Sequence, residues 1–480
     1  MDMQYTRYFR RLTKIVCTIG PASGSAVMIE RLIKAGMNVA RLNLSHGTGS
    51  EHAGYVQTIR EAARRLALPI AVLIDIPGPK YRTGNLSGGS AMLREGAEVV
   101  LTTRQVEGNE EVVSVNLPDL PQRAKVGNTV LIDDGALLLK VQSVSETDVK
   151  CKVIVGGLLT VGRGIVIPGM RASAPYVTSR LREYIDFAIE QEPDYIALSF
   201  VSGPEDVEQT RVILNQKNSN IPIIAKIERG QAVDSIDKIL DVSDGIMLAR
   251  GDLGVEIPLQ RVPLVQKQII KKCNRAGKPV ITATQMLESM INAARPTRAE
   301  VTDVANAIFD GTDAIMLSAE TSIGKYPVAA VRMMAQIAQE TQGQLPYESM
   351  LAERSAWLGS ETEEIISYDA CHTAHQLGAV AIIAFTQSGS TAERVSKYRP
   401  GVPIIATTPS RDVCGRLVLS WGVQSFQIAE PSSVDELFAT GTRLSKALGL
   451  AKSGDLIVIT GGIPIGVSGT TNLLKVERVE

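Results

Sequence analysis

Hydrophobic positions follow two rhythms in this chain, and the places where one gives way to the other divide it. From residue 13, short β-branched runs predict strands near 14–19, 38–42 and 70–75, with amphipathic helical patterns near 25–35 and 51–67 between them. Between about 77 and 172 that alternation stops. Short Val- and Leu-rich runs and glycine-rich turns (Gly88-Gly89, Gly156-Gly157, Gly162, Gly164) without a long helical period predict a small all-β, barrel-like insertion. Alternation resumes with strands near 194–199, 222–227, 244–249, 279–284 and 313–317. The total of eight strands, each but the interrupted third followed directly by a helical pattern, predicts a closed parallel (β/α)₈ barrel. After a polar stretch at 342–361 come five more strands near 380–385, 403–407, 423–428, 455–460 and 472–478, too few for a second barrel. They predict a doubly wound α/β sheet. The expected domains are the barrel (1–76 and 173–343), the insertion (77–172) and a C-terminal α/β domain (344–480).

Several helices carry local signatures of folding alone. Val262, Val265, Ile269 and Cys273 form an apolar stripe opposite Lys267, Lys271 and Lys272, and Thr297 with Glu300 reads as a capping box after Pro296. The five cysteines are odd in number and scattered, which argues against a disulfide framework or structural zinc. With 50 basic and 51 acidic side chains, no global field draws the chain to nucleic acid or membrane, so any bound anion needs a local cluster. The apolar runs are too short to span a bilayer and no charged-then-apolar leader opens the sequence. A cytoplasmic protein is the expectation, and Asn43-Leu44-Ser45 is then an accidental glycosylation sequon.

In such a barrel the reacting groups sit at the carboxyl ends of the strands. That rim carries Arg41 and Asn43 after the second strand, Asp75 after the third, Ser199 after the fourth and Lys226 with Glu228 after the fifth. Gly251 and Asp252 follow the sixth, Thr284 the seventh, and Ser318 with Glu320 the eighth. Glu228 or Asp252 alone reads as a helix cap or surface carboxylate; together, on adjacent strand ends, their repulsion calls for a cation. Lys226 beside them provides the positive charge that phosphoryl transfer requires. Asp75 reads equally as a loop-orienting residue, and Thr284 as a strand-end hydrogen bonder. His46 and His52 read as core or surface histidines, the pair His372/His375 lacks the further ligands of a zinc site, and Gly324-Lys325 fails the P-loop spacing because residue 319 is Ala.

Longer strings carry a resemblance. Thr13–Pro21, Asn38–Gly47, Ala225–Glu228, Ile246–Glu256, Thr282–Met290, Arg295–Glu300 and Met316–Glu320 are similar to the motifs of the pyruvate kinase family, over essentially the whole chain. The resemblance implies transfer of a phosphoryl group from phosphoenolpyruvate to ADP, giving pyruvate and ATP. It implies Lys226 at the transferring phosphoryl, Glu228 and Asp252 as ligands of Mg²⁺ (or Mn²⁺), and Gly251, Asp252 and Thr284 on the substrate carboxylate. Arg41 and Arg82 match arginines that reach phosphates, Asn43 and His46 belong to the nucleotide side, and Arg180 stands where the family has a lysine near ADP. The insertion becomes a lid hinged at Pro77-Gly78-Pro79 and Pro168-Gly169. Within it, Asp133-Asp134-Gly135 matches a turn facing the cleft and reads equally as a plain type I′ hairpin.

One departure stands out: Asp75-Ile-Pro-Gly-Pro-Lys80 replaces the Asp-Thr-Lys-Gly-Pro-Glu typical of members that need a monovalent cation. Lys80 is expected to replace K⁺ and leave the pocket of Asn43, Ser45 and Asp75 vacated, making the enzyme K⁺-independent. The last domain resembles the family's effector domain, and Thr386-Gln-Ser-Gly-Ser-Thr391, with Ser388, Gly389 and Ser390 at its centre, reads as a phosphate cradle or as an ordinary capped turn. The family also implies a homotetramer. The nearest rival is a Mg-dependent lyase or mutase of the same barrel type.

Overall fold

The computed structural model describes residues 9–170, 175–467 and 469–480. β1 (Lys14–Thr18), β2 (Val39–Asn43) and β3 (Ala71–Ile76) begin a parallel sheet, which the chain then leaves for eight short strands. These are β4 (Ser90–Leu93), β5 (Glu98–Thr102), β6 (Val112–Ser114), β7 (Thr129–Ile132), β8 (Leu137–Val144), β9 (Asp148–Val155), β10 (Gly157–Thr160) and β11 (Ile165–Val166). The chain returns as β12 (Tyr195–Leu198), β13 (Ile223–Ile227), β14 (Gly245–Ala249), β15 (Val280–Ala283) and β16 (Ala314–Leu317). Pairing in the order β1-β16-β15-β14-β13-β12-β3-β2 closes the eight-stranded barrel the alternation predicts.

Strand pleat decides what faces inward. Val16, Val39, Leu73, Ala197, Ile224, Met247, Ile281 and Met316, one from each barrel strand, belong to a single buried cluster that fills the interior. Two residues further along, on the same side of the pleat, come Thr18, Arg41, Asp75, Ser199 and Lys226. The opposite end is sealed by the C-terminal domain: Val418 and Leu419 join the interior cluster, and Lys14 Nζ donates to the Val423 carbonyl. A buried Arg399–Asp313 ion pair at 2.7 Å ties the same two domains together. The carboxyl ends of the strands are therefore the open mouth.

Helix signals hold locally. Thr297 and Glu300 form the capping box, and Val265, Ile269 and Cys273 are buried, with Val262 half-buried at the start of the stripe. In the insertion the strands form a six-stranded sheet, β11-β7-β8-β9-β5-β6, and a separate β10-β4 ladder, instead of one closed barrel. Its outermost strands, β11 and β6, have only two and three residues, too short to pair onward, and one helical turn, Leu120–Arg123, interrupts the all-β pattern. It has a core of its own, including Leu101, Val113, Val130 and Leu139. The expected boundary at 172/173 lies outside the described residues.

The C-terminal sheet consists of β17 (Ile382–Phe385), β18 (Ile404–Thr408), β19 (Val423–Gln427), β20 (Leu456–Gly462) and β21 (Thr471–Arg478), ordered β19-β18-β17-β20-β21. The first four are parallel and β21 is an antiparallel edge. Strand order reverses between β17 and β20, which is where an open α/β sheet leaves a ligand crevice.

Candidate active site

The inward-facing polar residues at the mouth hold one another. Lys226 Nζ donates to Ser199 Oγ at 2.7 Å and to Asp75 Oδ1 at 3.2 Å, and pairs with Glu228 Oε1 at 2.9 Å. Arg41 brings Nε and Nη2 each to 2.7 Å from Asp75 Oδ2, while its Nη1 donates to Thr18 Oγ1 at 2.8 Å. Ser199 Oγ donates to Asp75 Oδ1 at 3.1 Å. All four charged groups are buried, two cations against two anions. An isolated buried charge is costly, and pairing opposite charges offsets that cost.

The directions of titration agree for Asp75 and Lys226. Burial alone would raise Asp75, yet Arg41 and Lys226 hold its carboxyl below the usual range. Burial would lower Lys226, but Asp75 and Glu228 outweigh it and keep the ammonium charged. Glu228 is pushed up, first by burial and then by the charges of Asp252 and Asp75, with Lys226 opposing. A second cation near Glu228 and Asp252 would relieve that strain.

Glu228 and Asp252 line one small cleft with Lys80, Asp134, Phe200 and Glu256, of about 300 Å³ with its open mouth included. Two hard oxygen donors facing a shared space suit a divalent ion that takes its remaining ligands from substrate and water. Nearby, the Gly251 N–H donates to Thr284 Oγ1 at 2.7 Å. Thr284 (φ +67°) and Gln285 (φ +54°) lie in the left-handed region, which strains a β-branched residue by about 1–3 kcal/mol. Arg250 supports this corner, its Nη2 donating to the Thr284 and Gln285 carbonyls at 2.9 and 3.4 Å.

Other predicted residues are more dispersed. Asn43 is level with Asp75 in the β2–β3 register and accepts from the Ser45 N–H at 3.2 Å. The Lys80 ammonium does not join them. It lies 3.1 Å from Asp252 Oδ1 and 3.7 Å from Asp134 Oδ1, because the Pro77-Gly78-Pro79 hinge carries it across to Phe200; Asp75 is neutralised by Arg41 and Lys226 instead. Asp134 and Gly135, both at positive φ under an Asp133-to-Ala136 hydrogen bond, form a type I′ turn that also faces the cleft. His46, Arg82 and Arg180 are exposed. Arg82 donates to the lid's own Gly162 carbonyl at 2.8 Å, Arg180 to the Tyr184 hydroxyl at 3.0 Å, and the His46 carbonyl meets His52 Nε2 at 2.7 Å. Sequence reasoning passed over Thr18, Phe200, Arg229 and Arg250. Pleat parity would have found Thr18; the others act through folded contacts that no local signal announces.

The C-terminal cradle sits at the switch point. Thr386, Ser388, Ser390 and Thr391 line a cleft with Thr407, Gly462 and Thr470, of about 500 Å³ with its mouth included. Gly389 (φ +98°) caps the helix Ser390–Lys397, and its N–H donates to Thr386 Oγ1 at 2.9 Å.

A closed (β/α)₈ barrel with a balanced charge network at its mouth, a β lid inserted after its third strand and an α/β domain beneath its floor define an enzyme of the phosphoryl-transferring barrel class. Residues 10–331 match the family described as pyruvate kinase, barrel domain, and residues 364–477 match pyruvate kinase, alpha/beta domain. The chain is 46% identical over 470 residues to the pyruvate kinase of Clostridium acetobutylicum, covering 98% of this chain and 99% of that one. It is 46% identical over 471 residues to that of Staphylococcus aureus strain MRSA252, covering 98% of this chain and 80% of that one. A crystal structure of a pyruvate kinase from Cryptosporidium parvum superposes with a TM-score of 0.94 at 38% identity, covering 100% of this chain and 98% of that one. The chain belongs to the pyruvate kinase family. Its function is transfer of the phosphoryl group of phosphoenolpyruvate to ADP, giving pyruvate and ATP at the end of glycolysis, and the lyase or mutase alternative is not favoured.

Proposed function

We propose that Glu228 and Asp252 hold Mg²⁺ or Mn²⁺ and that Lys226 neutralises the phosphoryl group as it passes from phosphoenolpyruvate to ADP. The observation that carries this reading is the Lys226 ammonium, buried at the open end of the barrel and kept cationic by Asp75 and Glu228. A cation already in place spends no reorganisation energy when negative charge spreads over the equatorial oxygens. The bound metal would supply Lewis-acid polarisation of the same oxygens. The N–H groups of Gly251 and Asp252 with the Thr284 hydroxyl grip the substrate carboxylate, a role supported by their closeness: the Gly251 N–H lies 2.7 Å from Thr284 Oγ1, a bond the carboxylate would replace. Thr284 is also the nearest relay for protonating the enolate. Arg41, braced by Asp75, reaches phosphate, and Asn43, His46, Arg82 and Arg180 serve the nucleotide. Closure of the lid over the mouth excludes water that would hydrolyse the donor.

K⁺ is not required in this reading. Lys80 brings a fixed ammonium to the cleft from the Asp252 side, while Asn43, Ser45 and Asp75 orient substrate or structure. At the C-terminal cleft, Thr386, Ser388, Gly389, Ser390 and Thr391 receive a phosphorylated effector through hydroxyls and backbone N–H groups; among the described residues none that lines it is Lys or Arg. The enzyme works in the cytoplasm as a homotetramer. A coupled assay for pyruvate and ATP from phosphoenolpyruvate and ADP tests the site assignment: Lys226→Met is expected to abolish turnover while Mn²⁺ still binds. Turnover retained in that variant would end the reading.

A further inference from the structure

The loop after β12 contains a strained residue that no step above employs. Phe200 has φ +57°, a backbone conformation that bulky side chains rarely adopt. Its N–H donates to Glu228 Oε2 at 2.6 Å, while Lys226 holds the other oxygen of that carboxylate. The Phe200 ring centre lies 5.4 Å from the Lys80 ammonium and 5.5 Å from the Arg229 guanidinium, both within cation–π reach. Arg229, the sequence neighbour of Glu228, is buried and donates to the Pro79 carbonyl at 2.8 Å and to Ser202 Oγ at 2.9 Å. The hinge is packed tightly against the same loop: a Cβ at Gly78 would lie 2.0 Å from the Ser199 carbonyl oxygen. Loops following β3, β12 and β13 therefore converge on one aromatic ring.

We infer that Phe200 and Arg229 are positioning residues for the metal-binding carboxylate Glu228. The ring, gripped by two cations, holds the left-handed backbone so that its N–H stays on Oε2. Lys226 and Phe200 then fix both oxygens of the carboxylate, which keeps it aimed before any cation arrives. Arg229 ties the root of the lid, at Pro79, to the same ring, so hinge and carboxylate share one support. Support of this kind around a metal ligand is worth about 10–100-fold in affinity. The inference rests on the reading of Glu228 as a metal ligand.

Titration of the substrate-free enzyme with Mn²⁺, followed by the electron paramagnetic resonance of unbound ion, tests it. Phe200→Leu keeps the backbone N–H and apolar bulk but removes the ring; Arg229→Met removes both hydrogen bonds and the cation. Each is expected to raise the Mn²⁺ dissociation constant about tenfold, with Phe200→Tyr restoring it to near the wild-type value. The double variant is expected to be no worse than the poorer single variant, since both act through one support. A rise below threefold in both single variants, with far-UV circular dichroism showing them folded, overturns the inference. Should neither fold, Arg229→Lys, which keeps the charge but not the forked hydrogen bonding, is read against the same threefold limit. Glu228→Gln separates the two failures: if it binds Mn²⁺ as the wild type does, the ligand reading has failed, and if it alone loses the metal, only the positioning role has.

Discussion

Removing the Lys226 ammonium is the most informative single perturbation, because it strikes stability and chemistry by different routes. Lys226→Met preserves much of the side chain's length and removes the charge. Asp75 then keeps Arg41, at 2.7 Å, but Glu228 loses the ion pair with Lys226, the one it makes among the described residues, in a site only 1% exposed. Breaking a buried pair in this way costs about 3–5 kcal/mol of stability. The transition state loses its preorganised cation as well, so kcat should fall by about 10²–10³-fold or more. The stability loss has a pH signature. Without Lys226, burial and the charges of Asp252 and Asp75 push Glu228 further up. A carboxyl whose folded pKa exceeds its unfolded one loses stability as pH rises between the two, so the deficit should shrink on acidification. The assay compares Tm of variant and wild type at pH 5 and pH 8, with and without Mn²⁺, alongside steady-state kinetics. A deficit of the same size at both pH values in the metal-free protein, or kcat within tenfold of wild type, would refute the reasoning.

Three further outcomes follow from the structure. Lys80→Glu replaces the ammonium beside Asp252 with a carboxylate and should create K⁺ dependence, whereas the wild type should run at essentially full rate in K⁺-free buffer; a wild type that loses most of its activity there sinks the idea. Burial pushes Asp194 up to about 6, even though its Oδ2 accepts the Val72 N–H at 2.7 Å. Since the folded pKa lies above the unfolded one, stability should fall by about 2 kcal/mol as pH rises from 4 to 6, and Asp194→Asn should flatten that segment of the Tm–pH curve; an unchanged slope contradicts it. Ser390→Asp places a carboxylate in the C-terminal cleft and should abolish activation by every member of a panel of phosphorylated metabolites without altering basal turnover, so activation that survives the substitution argues for another effector site.

Much of the architecture could be read from spacing. Eight barrel strands, the inserted β unit and the five-stranded last domain emerge from where period-2 and period-3.6 hydrophobicity alternate, because burying one face of each element requires that pattern. Arg41, Asp75, Ser199 and Lys226 were visible for the same reason: each lies two residues beyond an interior-facing apolar residue, so the pleat sends it to the mouth. The open sheets of the lid were not visible, because a closed barrel and two separate sheets share the same alternation. The charge of Lys80 is legible in the sequence but its partner, Asp252 rather than Asp75, is not, because its direction depends on the Pro77-Gly78-Pro79 turn and the Phe200 ring.

The amino-acid order by itself determined which residues are inside, which strand ends carry charge and, through long matching strings, the family. Only the tertiary structure decided how those charges balance. Arg41 and Asp75 are 34 positions apart, and Lys226 is 151 positions from Asp75, so their ion pairs exist only once the barrel closes. Such pairing depends on distances of a few ångströms in a dry interior, where Coulomb forces are strong and water cannot substitute for a missing partner, and hydrophobic periodicity along a chain does not encode those distances.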